Sequence, residues 1–221
     1  MNYQKAGGIA SLLMAASYLI GFWLYFSFLE ASGHEGPLRH VAFLVETQTI
    51  QHIGNLVIYV AASLFLLVLV LSLHDRLKAT APSVMQITTA LGLIWVTVVL
   101  AAGMVLNVGM ETVIGLYRET PDAAATLWRA IDTVHNGLGG GTEIVGGIWL
   151  LLLSWTALKS HIFPVVLNIL GGIIGLAGIV SIVPGLGDIG GMVFGLGQIV
   201  WFIWLGIVML RNSPATVASR M

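Results

Sequence analysis

The sequence contains no cysteine among its 221 residues. Disulfides, thiolate metal sites, iron–sulfur clusters and cysteine nucleophiles are therefore excluded within this chain. Charged residues are also scarce: they make up 9% of the chain, whereas a soluble globular protein carries roughly a quarter. So few charges cannot cover a surface that faces water, and 57% of the residues are hydrophobic. The composition therefore predicts that the lipid bilayer is the solvent of this protein.

Basic residues are not in excess either, because the formal net charge is −1. A nucleic-acid-binding surface needs clustered lysine and arginine, so we expect no nucleic-acid partner. We also find no Ser–His–Asp order that predicted helices would place on one face, and no pair of carboxylates inside a predicted span. The sequence therefore leans against an enzyme without excluding one.

Long apolar windows dominate what is present. They cover residues 7–29, 49–73, 87–110, 138–158, 163–184 and 189–210. A helix of each length crosses about 30 Å of hydrocarbon at about 1.5 Å per residue. The six windows use most of the chain and leave no room for a soluble domain. The sequence therefore predicts an all-α integral membrane protein, a single transmembrane domain over residues 1–221 built as a six-helix bundle.

Lysine and arginine are distributed unevenly between the predicted loops. With the N-terminus inside, the inner segments carry six of them: Lys5, Arg76, Lys78, Lys159, Arg211 and Arg220. The outer loops carry three of them: Arg39, Arg118 and Arg129. By the positive-inside rule, this asymmetry predicts that both termini are cytoplasmic.

The loop before the fourth window predicts a short helix over residues 121–134. Thr120 is suited to an N-cap, Pro121 to the first helical position and Asp122 to the first turn. The apolar side chains that follow recur on one stripe: Leu127, Ile131 and Val134. We expect this amphipathic helix to lie on the outer membrane surface, with Trp128 near the headgroups, and residues 37–46 to lie there too.

Glu143 lies about six residues inside the fourth window, or ~9 Å of helix rise. A charged side chain at the centre of a bilayer costs roughly 2.5–3.5 kcal/mol, and less near the interface. Glycines occupy the neighbouring positions on the same helical face: Gly139, Gly140, Gly146 and Gly147. Small residues let another helix approach closely, so we predict that Glu143 faces protein instead of lipid.

Polar residues of other windows are predicted to join Glu143 in the outer half of the bundle. They are His52, Asn55, Tyr59, Asn107 and Gln198. The first three recur at helical spacing on one face of the second window. The economical interpretation is one outward-facing polar pocket that binds a small molecule or a cation, with Glu143 as the group that accepts the proton or cation.

The same residues permit a structural interpretation. A protonated Glu143 bonded to Asn55, Asn107 or a backbone carbonyl would hold helices together, and the Asn–Tyr stripe would do the same. Under this hypothesis the protein is a structural or accessory subunit of a larger membrane complex, or a homo-oligomer. The sequence leaves this alternative open.

Histidines raise a third hypothesis, a membrane redox protein that holds haem or a metal. The candidate metal ligands are His52, His135 and Glu143. An outer pair, His52 and His135, and an inner pair, His74 and His161, have the order that two haems would need. Most of them lie at the ends of windows and show no compact ligand spacing, so we predict no cofactor.

Three stretches resemble the DUF4386-type family of bacterial membrane proteins of unknown function. They are residues 139–149 (GGGTEIVGGIW), Phe163–Pro164 and residues 198–206 (QIVWFIWLG). The resemblance covers mainly residues 137–211, while Asn107 and residues 92–95 fit more loosely. It implies a multi-pass protein of the bacterial cytoplasmic (inner) membrane. It implies no activity, substrate or cofactor.

Overall fold

The computed structural model describes residues 3–24, 27, 36–140 and 143–211 of the chain. These residues form helices and connecting turns, without a strand. The helices are α1 (Tyr3–Leu24), α2 (Pro37–Asn55), α3 (Ala62–Leu77), α4 (Pro82–Tyr117), α5 (Pro121–His135), α6 (Ile144–Ser160), α7 (Val165–Val180) and α8 (Gly187–Arg211). The all-α prediction is confirmed for this part of the chain. Arg220 and residues 25–26 and 28–29 of the first predicted span lie outside it.

Within the described residues, five helical stretches are long and apolar enough to cross a membrane. They are Tyr3–Leu24, Pro37–Leu77, Pro82–Tyr117, Gly187–Arg211 and Pro121–Ser160, the last of which runs across residues 141–142, outside the described ranges. The apolar helix α7 has 16 residues and rises about 24 Å, which is less than the ~30 Å of hydrocarbon. The architecture fits a multi-pass membrane protein.

The second predicted span is part of a much longer helix. α2 runs through a π-helical segment, Leu56–Ala61, directly into α3 to make 41 continuous residues from Pro37 to Leu77. The prediction that residues 37–46 form a separate surface segment is therefore wrong. Neither glycine nor proline stands between residue 46 and the predicted span, so nothing in the sequence ends the helix there. α4, at 36 residues, likewise extends beyond the predicted 87–110 at both ends.

The fourth predicted span begins later than expected, at Ile144 instead of residue 138. A kinked segment, Asn136–Gly140, follows α5, and within it Gly139 takes a φ of 112° that side chains rarely adopt. Glu143 precedes α6 with φ −105° and ψ 28°, outside helical geometry. Gly139 therefore does not share a helical face with Glu143, and that part of the prediction is wrong.

Aromatic side chains fill the main core, between α4, α6 and α8. Trp95 packs against Trp149 and Phe194, and Trp149 contacts Trp201 in turn. α7 approaches α6 so closely that a Cβ on Gly147 would lie 2.6 Å from the carbonyl oxygen of Gly175. Small residues at this crossing allow the two backbones to touch, as in many membrane helix pairs.

A second, smaller core joins α5 to the ends of α2 and α4. It consists of Val41, Leu44, Val113, Ala124 and Ala125. Leu127 and Ile131 of the predicted amphipathic stripe pack against it, while Val134 is 51% exposed. The prediction of a helix over 121–134 is confirmed by α5. Leu127 and Ile131 are covered by protein, because α2 and α4 extend far enough to pack against them. The location of this helix on the outer membrane surface stays a prediction.

Candidate functional site

A polar seam joins α2 to α4. The Asn55 side-chain amide donates a hydrogen bond to the Asn107 side-chain oxygen over 3.1 Å. Asn107 is 6% exposed, so this bond satisfies an amide that water scarcely reaches. The structure thus brings together two of the predicted pocket residues, as a mutually bonded pair.

Tyr59 extends the seam, from within the π-helical segment Leu56–Ala61. Its hydroxyl lies 3.3 Å from Nε2 of His135, and the two rings meet edge to face with their centroids 5.1 Å apart. The other ring nitrogen of His135, Nδ1, lies 3.3 Å from the carbonyl oxygen of Ala102. A neutral His135 that donates from Nδ1 and accepts at Nε2 satisfies both contacts. Gly103 makes the approach possible, since a Cβ there would lie 2.3 Å from the Cβ of Tyr59.

The π-helical segment Leu56–Ala61 and the kinked segment Asn136–Gly140 both pack against α4. Leu56–Ala61 brings Tyr59, and His135 immediately precedes Asn136–Gly140. The local widening of a helix, as in Leu56–Ala61, releases backbone groups and occurs frequently at functional sites. Two irregular segments therefore face the same helix beside the polar seam.

Glu143 is held by its backbone. Its N–H donates to the Ser181 hydroxyl oxygen over 2.8 Å, and that hydroxyl donates to the carbonyl oxygen of Gly178 over 2.7 Å. The carboxylate is different. No hydrogen bond joins it to any residue in the part of the chain that the structure describes. A partly buried acid without such a partner is available to a ligand.

Glu143 lines a small cavity with a volume of about 50 Å³. Its wall is formed by Trp95, Val98, Gly137, Leu138, Gly139, Glu143, Ile144, Val145 and Gly146. One water needs roughly 10–15 Å³ of such volume, whereas pockets for drug-sized molecules measure about 300–1,000 Å³. The cavity therefore has room for a few waters or a small ion, and not for an organic molecule of ordinary size.

Two tyrosine hydroxyls lie within electrostatic range of the Glu143 carboxylate: those of Tyr18 in α1 and of Tyr59. The three groups come from separate parts of the chain. The sequence analysis missed Tyr18 and Ser181. A signal existed for each, since Tyr18 places a hydroxyl inside the apolar first window and Ser181 lies near the end of the fifth.

His52 lies apart from this group. His52 lines a cleft of about 240 Å³ at the end of α2 with Gln48, Thr49, Ile53 and Glu111, and this cleft shares no residue with the Glu143 cavity. Gln198 is 2% exposed in α8, and its Nε2 has no hydrogen-bond partner among the described residues. The six predicted residues thus occupy at least three separate places.

The three candidate metal ligands do not converge either. Among the described residues, no group of three or more His, Asp or Glu side chains is arranged to hold a metal ion. His135 is bonded within the seam, His52 lies in its own cleft, and Glu143 borders the small cavity. The metal and haem hypothesis stays a prediction, without a preformed ligand set in this part of the chain.

Comparison with known proteins adds no relative. No protein-family model matches the chain, and neither a curated protein nor a solved structure is significantly similar to it. The resemblance of residues 137–211 to the DUF4386-type family therefore stays a prediction, and the function must be argued from the site alone.

Proposed function

We propose that this protein binds a proton or a small monovalent cation at Glu143, as a six-span protein of the bacterial cytoplasmic membrane. The single observation that carries the proposal is the contrast between the bonded backbone of Glu143 and its unbonded carboxylate. The backbone N–H of Glu143 is bonded to Ser181 and the residue lines a cavity of about 50 Å³, while its carboxylate has no hydrogen bond from any described residue. A rigid backbone with an unengaged carboxylate is suited to accept a small cation.

Backbone irregularity supports the same conclusion. Non-helical backbone at membrane depth is tolerated where it is buried in protein or lines a water-filled cavity. Broken helices supply ion-binding groups in many membrane transporters for this reason. Glu143 and Gly139 both have non-helical dihedral angles, and both line the cavity. The break before α6 therefore places the acid and the cavity together.

The size of the cavity limits which ligands can bind in it. The sequence left a small molecule and a cation open, and about 50 Å³ favours a cation with its waters, or a proton alone. Carboxylate and water oxygens suit a hard cation.

Six spans and a cytoplasmic location of both termini remain part of the proposal. α7 is short, but it is the middle member of the antiparallel series α6, α7 and α8, whose connections are short turns. Counting α7 as a span also places Lys5 and Arg211 at one end of the bundle. The resemblance to a bacterial family supports the cytoplasmic membrane.

The test compares three proteins purified in mild detergent: wild type, Glu143→Gln and Glu111→Gln. Glu111 is the matched control, because its carboxylate is exposed at the other end of the seam. The thermal unfolding midpoint is measured while sodium replaces choline at constant ionic strength, and again across pH without sodium. A ligand that binds only the folded state stabilises it by about 2.7 kcal/mol at a hundred times its Kd.

We expect the midpoint of wild type and of Glu111→Gln to depend on sodium, on pH or on both. Glu143→Gln should lose the dependence, because an amide takes up neither a proton nor the charge of a cation in this range. The proposal is overturned if Glu143→Gln keeps the wild-type dependence on both variables.

A structural subunit is the second candidate function. It is favoured by Gly172 in α7 and Gly195 in α8, which have open space around them among the described residues. Small residues on an outer face allow another membrane helix to approach closely. Replacing both by leucine should convert an oligomer to a monomer, as measured by mass in detergent. A wild-type protein that is already monomeric would remove this candidate.

A further inference from the structure

Arg76 lies near the end of α3 with its guanidinium about half-buried. Nη1 donates to the Gln4 side-chain oxygen of α1, and the guanidinium carbon lies 5.3 Å from the centre of the Phe163 ring. Its Nε is buried and has no hydrogen-bond partner among the described residues. The neighbours of this cation are thus a neutral amide and an aromatic face.

No carboxylate neutralises Arg76 within the described part of the chain. The nearest acid in sequence, Asp75, forms an ion pair with Lys78 over 2.6 Å. A cation that is partly removed from water costs free energy unless an anion compensates it. The Gln4 oxygen carries only a partial charge. An anion from outside the described residues would compensate this charge.

The same end of the bundle is rich in other cations. α1 begins there, and α3, α6 and α8 end there, which brings together Lys5, Arg76, Lys78, Lys159 and Arg211. Asp75 is the acid that these described helix ends contribute. Basic residues at the edge of a membrane attract anionic lipids, by about 1 kcal/mol each near the surface.

We propose that Arg76 anchors the phosphate of an anionic phospholipid at this end of the bundle. The half of the guanidinium that the protein leaves exposed presents N–H donors, and an arginine fork matches two phosphate oxygens. Exposed apolar side chains flank the site, Tyr3 at 60% and Val166 at 62% exposure, on the helices that Arg76 contacts or adjoins. They offer a surface for acyl chains, which favours a lipid over free phosphate.

A structural role for Arg76 makes a different prediction. Long basic side chains often lay their apolar stem along a helix and place the charge at the interface, without a specific ligand. Such an arginine would show no preference between anionic and zwitterionic lipids beyond the general attraction of the surface. The preference is therefore the quantity to measure.

The experiment titrates the detergent-purified full-length chain with phosphatidylglycerol, with phosphatidylcholine and with inorganic phosphate. Binding is followed by native mass spectrometry on wild type, Arg76→Gln, Arg76→Lys and Arg118→Gln. Arg118 is the matched control, an exposed arginine at the opposite end of the bundle. We expect phosphatidylglycerol to bind wild type and Arg118→Gln equally, and about tenfold less tightly to Arg76→Gln, as the loss of one charged hydrogen-bonding group implies.

Arg76→Lys keeps the charge without the fork, so we expect intermediate affinity, and this variant decides the question if Arg76→Gln does not fold. The proposal is overturned if the Arg76 variants bind phosphatidylglycerol as wild type does. It is also overturned if phosphatidylcholine binds equally well, or if inorganic phosphate competes at the same concentration as the lipid, since the site would then take a free anion.

Discussion

The seam between α2 and α4 and the start of α6 both place polar side chains among apolar ones, and they treat them differently. In the seam each polar group has a partner: Asn55 bonds Asn107, and Tyr59 contacts His135. At α6 the backbone of Glu143 is bonded and its carboxylate is not, within the described residues. Side chains that are hydrogen-bonded to one another hold helices together, whereas a carboxylate without such a bond is available for binding.

The difference has a local structural cause. Asn55 and Asn107 lie in uninterrupted helices, where close packing sets two amides at hydrogen-bond distance. Glu143 stands where the helix has been interrupted, and the interruption leaves a cavity that no described polar side chain fills. Variants on the two sides should therefore respond in opposite ways, the seam in stability and Glu143 in its response to cations.

The largest effect on stability is expected in the seam, for Asn107→Leu. The substitution removes the acceptor of the Asn55 amide and leaves that amide unsatisfied, so the free energy of unfolding should fall by about 1–2 kcal/mol. Reversible unfolding in mixed micelles measures it. The response of the midpoint to sodium should be unchanged.

The Asn55→Leu/Asn107→Leu double variant is the control for this pair. Its loss should be smaller than the sum of the two single losses, because no unpaired amide remains. Strictly additive losses would show that the two amides do not depend on each other. The Asn55–Asn107 hydrogen bond would then not be what stabilises the contact between the two helices.

A smaller effect is expected for Tyr59→Phe. The ring remains beside His135 and only the hydroxyl is lost, so the free energy of unfolding should fall by about 0.6 kcal/mol, an average value for polar contacts between membrane helices. Tyr18→Phe is the matched control, because no described residue bonds its hydroxyl, and it should leave the free energy of unfolding unchanged. Equal losses for the two variants would contradict the assignment of Tyr59 to the seam.

A smaller effect on stability than that of Tyr59→Phe is expected for Glu143→Gln, measured without sodium at one fixed pH. The shape of the side chain is kept and no hydrogen bond to a described residue is lost, so the free energy of unfolding should change by less than about 0.5 kcal/mol. A loss as large as that of Asn107→Leu would instead place Glu143 among the structural groups.

Much of the helical framework followed from hydropathy, because runs of about 20 apolar residues leave few alternatives in a bilayer. The ends of the helices did not follow. α2 and α4 continue well past their apolar windows, since polar residues sustain a helix once packing against α5 supports it. The stripe of Leu127 and Ile131 correctly predicted a helix. It did not indicate that α2 and α4 cover that helix, because periodicity marks an apolar face without saying what covers it.

The site was predictable in composition and less so in arrangement. Helical spacing placed Asn55 and Asn107 toward the interior, and the structure joins them. It also treated Glu143 as a residue within a regular helix, because a positive φ at Gly139 and the interruption that follows are invisible to periodicity. Tyr18 comes from a distant part of the chain, and only the packing of α1 brings it near Glu143.

The central claim is that the Glu143 carboxylate takes up the proton or cation. Infrared difference spectroscopy tests it most directly, by recording the carboxyl bands of the purified protein as pH is raised or sodium is added. We predict a change in these bands that is present in wild type and in Glu111→Gln and absent from Glu143→Gln. The account is contradicted if Glu143→Gln shows the same difference bands as wild type.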